Sequence, residues 1–110
     1  MKIAVLLKSG PGTDNAERAL KTAEDMMEAG HSVNLFLLQE AVRFCRPTAS
    51  PAGAGMIEPL AEKGLDIQVL TRDAALRGLD TESSGNQFSK GSYDSLVDLM
   101  ESCDRVIGIL

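Results

Sequence analysis

Short apolar runs that alternate with helix-patterned segments constrain this chain more than any other feature. Ile3 to Leu7 is continuously apolar and is followed at once by Ser9-Gly10-Pro11-Gly12. A run too short for a buried helix and closed by turn residues reads as a strand covered on both faces, as in parallel sheets. Val33 to Leu38, rich in residues suited to buried sheet, and Ile67 to Leu70 read as the second and third strands, and Arg105 to Leu110 closes the chain as a strand whose apolar end must dock. Between the first two runs, Ala16, Ala19, Leu20, Ala23, Met26 and Met27 recur at helical spacing until Gly30 stops them. Asp14 and Glu17 have capping-box spacing, with Thr13 as the alternative cap. Glu40 to Cys45 reads as a short helix that Pro47 helps to end, and residues 46 to 55 as a loop. Residues 56 to 63 read as a helix that tolerates Pro59 in its first turn. Thr71 or Asp73 caps a short helix through Arg77, stopped by Gly78. Residues 79 to 91 read as a polar loop, and Tyr93, Leu96, Val97 and Met100 mark a last amphipathic helix. This order predicts an α/β fold: a three-layer α/β/α sandwich around a mostly parallel sheet of four or five strands. At 110 residues it is expected to form a single domain, 1–110.

Composition excludes several function classes. Sixteen acidic residues against eleven basic ones give a net charge of −5, the wrong sign for a nucleic-acid reader. Aromatics at 4%, with no Trp, disfavour stacking platforms for bases. Two Cys and one His are too few for an ordinary zinc site, so neither a metal nor a cofactor is expected. No apolar run approaches the ~20 residues that span a bilayer, and the N-terminus reads as a strand rather than a signal peptide. The expected compartment is the cytoplasm, where two separated Cys stay reduced.

In a parallel α/β sheet, ligands bind beyond the carboxyl ends of the strands. That rule selects residues 8–14, 39–46 and 70–73, and it demotes His31 and Cys103, which precede strands. Ser9, Gly10, Gly12 and Thr13 form a turn where backbone can approach an anion at a helix N-terminus. The full phosphate-loop and dinucleotide patterns are absent, and a tight strand-to-helix turn accounts for the same residues. Cys45 is the candidate catalytic residue: a thiolate can carry sulfur as a persulfide, and Arg43 and Arg46 would lower its pKa. A small buried apolar role accounts for it equally simply. A Cys45–Cys103 disulfide is not expected, because the two positions fall at opposite edges. Leu70, Thr71 and Arg72 complete the binding candidates, with Arg72 able to attract an anion.

Four segments carry a family resemblance. Lys2-Ile-Ala-Val-Leu-Leu leads to a Gly/Pro turn and an Ala-rich helix, and Val33-Asn-Leu-Phe-Leu-Leu is followed by Glu40-Ala-Val. Leu70-Thr-Arg-Asp-Ala-Ala-Leu-Arg-Gly-Leu79 and Ser102-Cys-Asp-Arg-Val-Ile follow later. Together they resemble the DsrE/DsrF-like family, which includes the TusD-type sulfur-relay subunits. The resemblance implies a DsrE-like fold, a homo-oligomer (trimer or hexamer), and a role in sulfur trafficking with a sulfur-carrier protein partner. It also implies a cysteine at the end of strand three, eight residues before the Gly of Arg-Gly. Counting back from Gly78 reaches Leu70, which cannot hold a persulfide. The expectation is therefore a sulfur-relay protein that depends on partners, or else a non-catalytic assembly or small-anion-binding subunit with the same fold.

Overall fold

Five strands lie side by side in one sheet, in the order β4-β3-β2-β1-β5, and every neighbouring pair is parallel. The strands are β1 (Lys2–Leu7), β2 (Ser32–Leu37), β3 (Asp66–Leu70), β4 (Phe88–Gly91) and β5 (Arg105–Ile109). The helices are α1 (Asp14–Glu28), α2 (Thr71–Leu76) and α3 (Tyr93–Ser102), with a 3-10 helix at Gln39–Cys45. The computed structural model describes residues 1–45, 57, 59–79 and 88–109, and of Cys45 only the backbone. Residues 57 and 59–62 are helical, within the helix expected at 56–63.

Strand alternation divides the core in two. Ile3, Val5 and Leu7 of β1, Val33, Leu35 and Leu37 of β2, and Ile67 and Val69 of β3 point to one face. There they meet Ala16, Ala19, Leu20 and Ala23 of α1, whose small residues allow close packing on the sheet, together with Ile57 and Leu60. Ala4, Phe36 and Leu70 point to the other face and meet Leu99 of α3, with Leu96 and Cys103 against the margin. This second layer is thinner: α3 lays Leu96 and Leu99 on the sheet but leaves Tyr93, Val97 and Met100 from 42% to 53% exposed.

Three local expectations change. The segment read as a polar loop at 79–91 contains β4, an edge strand of only four residues, FSKG, paired to β3 from Ile67–Phe88 to Leu70–Gly91. Its exposed Ser89 and Lys90 suit an edge that must resist pairing with other chains. The α1 cap is Thr13, whose hydroxyl accepts from the Ala16 N–H at 3.2 Å. The α2 cap is neither Thr71 nor Asp73: the cap position is Leu70, with no side-chain bond to the helix. Both polar side chains are engaged with other elements instead. The expected docking of the last strand is observed, as β5 pairs with β1 along Ile3–Arg105 to Leu7–Ile109. At its start, Asp104 and Lys2 exchange two bonds of 2.7 and 2.8 Å. Residue 110 lies outside the described residues.

Gly91 ends β4 where a side chain has no room. A Cβ there would fall 2.8 Å from the Phe36 Cζ and 3.2 Å from the Val69 carbonyl oxygen. Phe36 is fully buried, so its ring has nowhere to retreat. Gly91→Ala is expected to destabilise the fold by about 1–3 kcal/mol, the usual cost of overpacking, read as a lower urea midpoint. An unchanged midpoint would contradict this packing.

Candidate functional site

The carboxyl ends of β1, β2, β3 and β4 form one edge, and backbone bonds sew the exits together. The Leu38 N–H donates to the Leu7 carbonyl at 2.9 Å, and the Ala41 N–H to the Lys8 carbonyl at 3.1 Å. Gly10 lies against this seam, because a Cβ on it would sit 3.2 Å from the Glu40 carbonyl oxygen. The β2 exit turns sharply at Gln39, a non-glycine residue with φ of 48°. A left-handed residue of this kind costs on the order of 1–3 kcal/mol and persists only when its surroundings hold it. What holds it is Asp73, only 8% exposed, whose carboxylate accepts the Gln39 N–H at 2.7 Å. A hydrogen bond to a charged group contributes about 1.5–3 kcal/mol, enough to offset the strain. The residues joined are 34 apart in sequence.

Beside this bond lies an ionic cluster. One oxygen of the Glu40 carboxylate accepts from the Arg43 Nε at 2.6 Å and the other from the Arg77 Nε at 2.9 Å. Arg77 also donates from Nη1 to the Asp73 carbonyl at 3.2 Å, so its bond to Glu40 ties the 3-10 helix to α2. These bonds, from Arg43 first and then Arg77, hold the Glu40 carboxyl below its ordinary value of 4.5. A depressed carboxylate pKa means that the cluster's contribution to stability is present above that value and is lost as pH falls below it.

The structure places the sequence-derived candidates as follows. Ser9, Gly10, Gly12 and Thr13 form the turn from β1 to α1. There the Thr13 hydroxyl donates to the Gly10 carbonyl at 2.8 Å as well as accepting from Ala16, so the hydroxyl closes the turn. Arg43 is in the ionic cluster. Thr71 donates its hydroxyl to the Gly91 carbonyl at 3.2 Å, joining the β3 and β4 exits, while Arg72 is exposed. Leu70 is 1% exposed and fills the second core layer with Ala4, Phe36 and Leu99. Cys45 ends the 3-10 helix; its side chain and all of Arg46 lie outside the described residues. Cys103 is a free thiol, partly buried against the second core layer. His31 stands at the opposite end of the sheet, in a polar hollow of about 350 Å³ with Lys2, Asn34 and Asp66. A wider hollow of about 580 Å³ runs along the outer face of α1 from Asp14 to Thr22.

Gln39, Glu40 and Asp73 fall within the spans the strand-exit rule selects, but the sequence reading gives Asp73 only a cap role, names neither Gln39 nor Glu40 as a binding residue, and takes Arg77 as a helix terminus. Glu40 had a usable signal, since it shares the 3-10 helix with Arg43 at i,i+3 spacing. Among the described residues, no three His, Cys, Asp or Glu side chains gather to hold a metal ion, and no helix is long and apolar enough to cross a membrane.

Comparison with solved structures supports the architecture. The ychN protein of E. coli superposes with a TM-score of 0.89 at 21% identity, covering 98% of each chain. MTH1491 of Methanobacterium thermoautotrophicum, a protein of unknown function, superposes with a TM-score of 0.82 at 11% identity, covering 97% of each. At these identities the likeness speaks for the fold alone. No curated protein is matched. A family model matches residues 1–109, and on that match the chain belongs to the DsrE/DsrF-like family.

Proposed function

We propose that this protein serves intracellular sulfur relay in the cytoplasm through protein partners, without the strand-three thiol that sulfur-carrying relatives use. The observation that carries the reading is Leu70. It stands at the β3 exit, where the family resemblance places a cysteine, and is buried as a core residue. Covalent sulfur therefore has no carrier at that position. Cys45 remains the acceptor candidate on the strand-exit side, following Arg43 in the 3-10 helix. The exposed Arg72 at the β3 exit supplies a cation that suits the anionic forms of reduced sulfur better than the chain's overall charge would suggest.

A second reading, a non-catalytic assembly subunit, is favoured by α3. Tyr93, Val97 and Met100 recur at i, i+4 and i+7 and remain exposed, and Val106 on the edge strand β5 is 38% exposed. An apolar stripe of this kind suits a contact with a second copy of the chain. Both readings predict a homo-oligomer, a trimer or hexamer.

Intact-mass spectrometry after exposure to a persulfide donor tests the acceptor role. The expected result is a single adduct of about 32 Da, one sulfur atom, that Cys45→Ser abolishes and Cys103→Ser leaves in place. No adduct, under conditions that load a control thiol protein, would overturn that role and leave the assembly reading. Light scattering on a sizing column tests the oligomer. Wild type is expected to elute as three or six chains, and Val97→Glu with Met100→Glu as one. A monomeric wild type would contradict the assignment of the α3 stripe.

A further inference from the structure

We infer that the Arg43–Arg77 pair is a binding site for a small divalent oxyanion, and that the Glu40 carboxylate is its internal placeholder. The inference rests on the reading that the strand-exit edge faces the ligand. Two guanidiniums from different elements, the 3-10 helix and the C-terminal end of α2, converge on the two oxygens of one carboxylate. Each reaches the carboxylate through its Nε–H alone, and guanidiniums are the side chains suited to holding carboxylates and oxyanions. Among the described residues, Arg43 gives one of its donors to this contact, while Arg77 uses one here and another on the Asp73 carbonyl. A guanidinium has five donors, so both retain capacity for a tetrahedral anion.

The site is preformed and its occupant is weakly held. Arg77 is anchored by the Asp73 carbonyl, and Asp73 is itself buried and bonded to Gln39, so one guanidinium keeps its position when Glu40 leaves. The Glu40 side chain is 52% exposed, and exposed ion pairs favour their closed form by a factor of about five at most each. A dianion brings twice the charge of the carboxylate it displaces. Glu40 can swing into solvent because its neighbours Gln39 and Ala41 are fixed by backbone bonds to Asp73 and Lys8, so the strand exit keeps its shape. The device excludes singly charged anions, which gain little over Glu40, and admits those of higher charge.

Sulfate titration of the full chain by calorimetry tests this, with no partner or sulfur donor present, so that its outcome is independent of the relay proposal. Glu40→Gln is expected to bind sulfate about five- to twenty-five-fold more tightly than wild type, and Glu40→Gln with Arg77→Gln to lose that gain. Because either variant could fold poorly, the wild-type protein supplies a second readout. Its Arg43 and Arg77 Nε–H resonances are expected to move on adding sulfate and to stay in place in chloride of equal ionic strength. Equal sulfate affinity of wild type and folded Glu40→Gln, or resonances that respond alike to both salts, would overturn the inference.

Discussion

One buried carboxylate ties the working edge of this protein together. Asp73 accepts the Gln39 N–H and so joins the exit of β3 to the exit of β2. Without it, Gln39 has no counterweight to its left-handed backbone, and the 3-10 helix that starts there loses its direction. The Asp73 carbonyl then takes Arg77, Arg77 takes Glu40, and Glu40 takes Arg43. The placement of Arg77, Glu40 and Arg43 follows from that first bond.

The parallel sheet makes such a bond necessary. In this architecture all strand exits fall on one side, and each must redirect the chain into a helix on one face or the other. Backbone bonds between Leu38 and Leu7 and between Ala41 and Lys8 secure the exits of β1 and β2. Among the described residues the β3 exit has no such seam to β2, so side chains do the joining: Asp73 toward Gln39, and Thr71 toward Gly91 on the other flank. Leu70, between them, points inward as packing. An edge built in this way holds ligands by charge and shape, and a thiol at Leu70 would have to displace a core side chain.

The sheet was largely legible because burial on both faces writes itself as apolar-rich runs, and four of the five strands carry one. Phe88–Gly91 does not: its four residues expose Ser89 and Lys90 at the sheet edge, and FSKG reads as loop. The departure at Leu70 was legible only through the family resemblance, which implies a cysteine eight residues before Gly78. Asp73 was misread for a physical reason. Local rules give an Asp near a helix start to that helix, whereas its partner lies 34 residues away and only tertiary structure brings it near. The same holds for Arg77, whose ion pair with Glu40 crosses between elements. Residues that act within one turn show in a sequence; residues that join two strand exits do not.

The strand-exit edge depends on the Asp73–Gln39 bond, and amide hydrogen exchange reads that bond directly. The Gln39 N–H should exchange slowly in the wild-type protein, at a rate near those of the β2 amides, and should lose that protection in Asp73→Ala while the β1 amides keep theirs. A Gln39 amide that exchanges as fast as an open turn in the wild type, or one equally protected in the variant, would contradict the account.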